Sequence, residues 1–210
     1  MIKVQVRFAL LALLLPLLLN ATHILKDDLL KPEVSKMIET MGDELFSKTG
    51  MNEYVVATNE NFPQGYNLVA YSKRYEANIS RPYVMLIFAP NAVITKESGQ
   101  KGRVAVIPSS KDIGSFYSRN DVMDATIDVV AAEDKNSNED KFNIGIVQGF
   151  SELADQIAHS KDVKLTTTIP NDTRTMIGYI KILVYIGAIL VLWIYMVRPI
   201  WMRMKNGKKK

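Results

Sequence analysis

The sequence contains no cysteine, and this single absence excludes several kinds of chemistry. A chain without cysteine has no disulfide framework, no thiolate metal site, no cysteine nucleophile and no thiol redox motif. Histidine is scarce as well, because His23 and His159 are its only two copies and they lie at opposite ends of the central region. Neither belongs to a metal-binding motif, so we expect both to be surface residues.

The motifs of common enzyme classes are also missing. No G-x-S-x-G motif is present, and Ser109 and Ser110 have no plausible histidine partner for nucleophilic catalysis. Neither the dinucleotide-binding G-x-G-x-x-G pattern nor a P-loop appears. The sequence therefore favours a non-enzymatic function and predicts no cofactor.

Acidic residues between Asp112 and Asp140 leave one alternative open. Asp121, Asp124 and Asp128 are spaced by three and four residues, which places them on one face of a helix. Further acids follow at Glu133, Asp134, Glu139 and Asp140. We interpret them as a solvated acidic surface, since the EF-hand pattern is absent. The alternative is a Ca²⁺ or Mg²⁺ site serving a metal-dependent phosphatase or related hydrolase.

Positive charge is concentrated at the two ends of the chain. The whole sequence carries a net charge of +4. Residues 22–170 contain sixteen Lys or Arg against twenty-one Asp or Glu, a net of −5, and the other ten basic residues and one acid lie outside this range. The central region is therefore mildly acidic, which argues against nucleic acid as a partner.

The C-terminal region predicts a membrane anchor. Between Ile182 and Val197 there is no charged side chain, and aromatic residues occur near the end of this stretch. We expect residues 176–198 to form a transmembrane helix, with residues 199–210 as a basic tail. Basic residues favour the cytoplasmic side, so the tail predicts a cytoplasmic C-terminus and an extracytoplasmic domain before the anchor.

The N-terminal residues 1–21 resemble an export signal. Lys3 and Arg7 precede an apolar segment from Phe8 to Leu19. We expect cleavage after Ala21, and the alternative is an uncleaved N-terminal anchor, which would give the protein two membrane spans. Both interpretations place residues 22–160 outside the cytoplasm. The predicted location is a bacterial inner membrane with the main domain in the periplasm.

The pattern of residues 22–160 predicts a layered α/β domain. Pro32 and Gly50 bracket an amphipathic helix over residues 32–48, and the apolar run YVMLIFA at 83–89 predicts a central strand buried on both faces. Further strands are predicted at 54–58 and 103–107, and further helices at about 68–79, 121–133 and 143–159. We expect Asp121 and Asn143 to cap the last two helices, and residues 133–141 to form a loop. Residues 161–175 are predicted to be a polar tether.

Four segments carry a resemblance to the TPM-domain family. They are YVVATNE, FPQGYNLVAY, YVMLIFAP and DKFNIGIVQGFSELADQIAH, and the similarity covers Lys31 to Ser160. The resemblance implies a small central β-sheet with helices on both faces. The family's glycine-rich turn after the third strand is not recognisable, so no catalytic or metal-binding residue is carried over.

The resemblance also implies a role. It suggests a membrane-anchored, chaperone-like accessory factor that stabilises or assembles an integral membrane protein complex. Three N-x-[ST] sequons occur, at Asn20, Asn78 and Asn171, and the sequence suggests Asn78 as a glycosylation site because Glu76 precedes it in a longer acidic sequon.

Overall fold

The computed structural model describes residues 22–93, 101–170 and 184–198. The chain divides into two compact units, Met1–Ile169 and Pro170–Lys210. The predicted export signal, the predicted cytoplasmic tail and residues 176–183 of the predicted anchor lie outside the described residues.

A four-stranded mixed sheet forms the centre of the first unit. Its strands are β1 (Ile24–Asp27), β2 (Asn52–Ala57), β3 (Tyr83–Val93) and β4 (Lys101–Pro108). They lie in the order β1-β2-β3-β4, with β1, β2 and β3 parallel and β4 antiparallel to β3. Because β3 lies between two partners and is buried from Tyr83 to Ala89, the prediction of a central apolar strand is confirmed.

Helices cover the two faces of this sheet unequally. The long helices are α1 (Pro32–Thr49), α3 (Arg119–Ala131) and α4 (Asn138–Ser160), whereas α2 (Leu68–Ser72) has only five residues. Alternate residues of β2 point to opposite faces. Val55 and Ala57 join the apolar core under the three long helices, and Tyr54 and Val56 join the core under α2. The α/β class is thus confirmed.

The ends of α1 agree with the sequence. The helix begins at Pro32, whose missing N–H is no loss in a first turn, and ends at Gly50. Gly50 adopts a left-handed conformation with φ of 70°, and its N–H donates a hydrogen bond to the Phe46 carbonyl. A residue without Cβ adopts this conformation at little cost.

Helix α4 begins earlier than predicted, and the prediction of Asn143 as its cap is wrong. Ser137 caps the helix by accepting a hydrogen bond from the Asp140 N–H, so half of the predicted loop is helical. Asn143 is buried inside the helix, where it accepts from the Lys31 N–H and donates to the Leu29 carbonyl. The cap of α3 is Ser118 rather than Asp121.

Gly149 lies on the face of α4 that packs against α3. A Cβ built on Gly149 would lie 1.9 Å from the Thr126 Oγ1, so α4 passes α3 at a distance that only glycine permits. Two other features differ from the sequence prediction. Strand β1 was not predicted, and α2 ends at Ser72, with a separate 3₁₀ turn at Glu76–Asn78.

The described part of the second unit is a helix over residues 184–198, which ends in a π-helical turn at Trp193–Val197. Its large apolar residues are all exposed, from 43% for Val197 to 76% for Tyr195. Among the described residues, no helix combines the length and the apolar character needed to span a membrane.

Candidate functional site

A buried glutamate lies at the beginning of β2. Glu53 shares a face with Val55 and Ala57, so its side chain points toward the layer of long helices. It is fully buried, with an exposed fraction of 0%. The predicted strand begins at residue 54, so Glu53 was not predicted to be part of it. The signal that could have identified Glu53 is an acidic residue at an inward-facing position of an otherwise apolar strand.

Neither carboxyl oxygen of Glu53 has a hydrogen-bond partner within the described parts of the chain. Burial raises the pKa of Glu53 well above its ordinary value, and the charge of Asp155 on α4 raises the pKa further. The carboxyl group therefore favours its neutral form in the folded protein. A buried polar group without a partner costs about 1–3 kcal/mol, and such groups are enriched at functional sites.

Tyr117, which lies just before α3, is partly buried. Burial raises the pKa of Tyr117 to about 12, and the charge of Arg119 opposes this rise. The carboxyl group of Glu53 also acts on the pKa of Tyr117, so the two groups are coupled electrostatically.

His23 lies beside the backbone of Glu53. The prediction that His23 is on the surface is wrong. Its exposed fraction is 1%, and its Nδ1 lies 2.8 Å from the backbone oxygen of Glu53. Because a carbonyl oxygen only accepts hydrogen bonds, Nδ1 must carry the proton. Its Nε2 lies 3.4 Å from Asp43 of α1. His23 thus joins α1 to β2, whereas His159 is exposed as predicted.

The segment that follows α4 packs against α1 and α4. Helix α4 ends in a Schellman turn, in which the Asp162 and Val163 N–H groups bond back to His159 and Ala158. Residues 163–169, which we name the strap, then return along the helices. Leu165 of the strap is buried in the core. The folded part of the chain therefore continues past Ser160, into the segment that was predicted to be a tether.

Glu44 of α1 is the main attachment point of the strap. Its carboxylate accepts hydrogen bonds from the backbone N–H and the hydroxyl of both Thr166 and Thr167, at 2.6–3.0 Å. Lys48 adds an ion pair at 2.7 Å and also donates to the Lys164 carbonyl. Burial raises the pKa of Glu44, but these donors outweigh burial and hold it well below its ordinary value. Glu44 is therefore charged.

Helix α4 holds the other end of the strap. The Thr168 hydroxyl donates to Asp155 at 2.8 Å, and the Ser151 hydroxyl accepts from the Ile169 N–H at 2.7 Å. Asp155 therefore contacts the strap and also acts electrostatically on Glu53. Asp155 is therefore the residue through which the strap and the buried carboxyl group are linked.

The predicted acidic surface lies elsewhere. Asp121, Asp124, Asp128, Glu133, Asp134 and Glu139 are exposed, as a solvated surface requires. Asp134 pairs with Lys141 at 3.2 Å, and Asp140 pairs with Lys31 at 2.5 Å. Within residues 22–93, 101–170 and 184–198, no three metal-binding side chains are grouped to hold an ion.

The predicted modification site is accessible. Asn78 is exposed at the end of the 3₁₀ turn Glu76–Asn78, and Ser80 of its sequon is exposed too.

No protein-family model matches the chain, and no curated protein matches it either. The resemblance to the TPM-domain family therefore remains a prediction from the motifs.

Proposed function

We propose that this protein is a membrane-anchored, extracytoplasmic accessory factor that stabilises or assembles an integral membrane protein complex, as the TPM resemblance implies. In this proposal, residues 176–198 span a bacterial inner membrane, the α/β domain lies in the periplasm and the basic tail lies in the cytoplasm.

The observation that carries the proposal is the exposed helix over residues 184–198. Its twelve large apolar residues are distributed around the whole helix, and every one has at least 43% of its surface exposed. A helix that is apolar on all sides is stable where protein or lipid surrounds it. Its described length is about 22 Å, and the uncharged sequence begins two residues earlier, at Ile182.

The topology can be tested cleanly because the chain has no cysteine. We expect a Lys73→Cys variant, altered at an exposed position of the domain, to react with a membrane-impermeant maleimide in spheroplasts. A Gly207→Cys variant should react only after the membrane is permeabilised, because the tail lies in the cytoplasm. Labelling in the opposite pattern would reject the proposed orientation, and the unsubstituted chain serves as the unlabelled control.

The accessory role requires a genetic test. Deleting the gene should lower the amount or activity of at least one integral membrane complex. The full chain should restore it, whereas a chain that ends at residue 175 should restore it less, because a tethered domain has a high effective concentration near its partner. If every membrane complex keeps its normal level and activity, the proposed function is wrong.

A further inference from the structure

The strap lies at the junction between the two units of the chain. It ends at Ile169, and the second unit begins at Pro170. While the strap is docked on α1 and α4, its seven residues do not contribute to the link between the α/β domain and the C-terminal helix. If the strap detached, the link would gain about 23 Å in extended length.

The strap contributes little to the apolar core that it covers. Leu165 is its only fully buried residue, and Val163 and Ile169 are partly buried. The helices beneath it pack against the sheet through their own side chains, such as Leu45 of α1 and Phe150 of α4. Detaching the strap therefore leaves the contact between helices and sheet in place.

Most of its other attachments are hydrogen bonds to a few side chains. Glu44 binds two successive residues of the strap, and Asp155 and Ser151 bind one residue each. When one carboxylate holds several groups, losing that carboxylate releases all of them together. Segments attached in this way open in local steps that need less free energy than global unfolding.

We propose that residues 163–169 are a releasable strap, which detaches as a unit while the α/β domain stays folded and thereby lengthens the link to the C-terminal helix. The detachment is a property of the domain itself. Only its consequence, a longer reach from the membrane, rests on the proposed function.

Hydrogen exchange of the full chain in mild detergent tests the proposal. In the unsubstituted protein we expect the amides of Thr166, Thr167 and Ile169 to exchange more slowly than in a free peptide but at least tenfold faster than the amides of β3. Glu44→Gln should raise the rates at Thr166 and Thr167 at least tenfold, and these amides should stay at least tenfold faster than those of β3. Trypsin should also cleave this variant faster after Lys164.

Two further variants keep the test decisive. Thr166→Ala combined with Thr167→Ala removes only the two hydroxyl bonds, so its effect should be smaller than that of Glu44→Gln. Glu33→Gln alters an exposed acid at the other end of α1 and should change nothing in the strap. If the strap and β3 exchange at the same rate in every variant, the strap opens only by global unfolding and the proposal fails.

Exchange of the strap at the rate of a free peptide in the unsubstituted protein would also reject it. These measurements do not depend on membrane orientation, so a failure here is distinct from a failure of the maleimide labelling.

Discussion

Two glutamates of the α/β domain, Glu53 and Glu44, have opposite environments, although both are largely removed from water. Glu53 is fully buried and has no hydrogen-bond partner in the described structure, whereas the Glu44 side chain is 11% exposed and is surrounded by donors. Burial raises the pKa of Glu53, and the donors around Glu44 reverse that effect. The comparison shows that available donors, rather than burial alone, decide whether a carboxyl group keeps its charge.

The two residues therefore influence stability in opposite pH ranges. The folded state holds the Glu53 proton more tightly than the unfolded chain does, so its contribution falls as pH rises from about 4.3 through the higher pKa of the folded state. The folded state favours charged Glu44, so its contribution is present above about pH 4.3 and is lost as pH falls toward the lower folded pKa.

Replacing Glu53 should have the largest effect on stability. Glu53→Met keeps a similar volume and removes the unpaired carboxyl group, so we expect the free energy of unfolding at pH 8.5 to rise by about 2 kcal/mol. At pH 3 the gain should be smaller, because the carboxyl group is then protonated in both states. Urea unfolding followed by circular dichroism measures this difference.

Tryptophan fluorescence would not serve for this purpose, because Trp193 and Trp201 both lie in the second unit. Glu133→Met, at an exposed position, is the matched control and should leave stability nearly unchanged. Destabilisation of the Glu53 variant at pH 8.5 would contradict the description of Glu53 as an unpaired carboxyl group.

Replacing Glu44 should weaken the protein at neutral pH. Glu44→Gln keeps the shape but loses the charge that accepts hydrogen bonds from the strap, so we expect a loss of about 1.5 kcal/mol in the free energy of unfolding at pH 7. The loss should shrink below about pH 4, because the unfolded chain then takes up a proton that the folded state does not bind, and the unsubstituted protein loses the contribution of the Glu44 charge. A constant loss between pH 7 and pH 2.5 would contradict the assigned role of the carboxylate.

Replacing Asp155 should have the smallest effect on stability. Asp155 bears on both halves of the comparison, because it contacts the strap and also acts electrostatically on Glu53. Asp155→Asn removes the negative charge that opposes ionisation of Glu53 and leaves an amide oxygen to accept from Thr168. We expect the decrease in the free energy of unfolding between pH 5 and pH 9 to become smaller, by less than about 1 kcal/mol. In a Glu53→Met background the substitution should no longer change this slope, which a double-mutant cycle measures.

Local patterns in the sequence predicted most of the secondary structure. The run from Tyr83 to Ala89 indicated an inner strand because every residue in it is apolar, and Pro32 with Gly50 marked the ends of α1. Strand β1 escaped prediction because it has only four residues, of which three are partly buried and Asp27 is exposed. Asn143 looked like a helix cap because asparagine favours that position, but its partners are Leu29 and Lys31, more than 100 residues away.

The sequence by itself determined the positions of most helices and strands and the concentration of positive charge at the ends, because periodicity and local charge are properties of neighbouring residues. The tertiary structure alone decided which acidic side chains keep their charge. Thr166 meets Glu44 across 122 positions of the chain, and Glu53 is buried only because β2 pairs on both sides beneath the helices. A hydrogen bond between distant residues depends on how the whole chain packs, so no local pattern reveals which carboxyl group finds a donor and which does not.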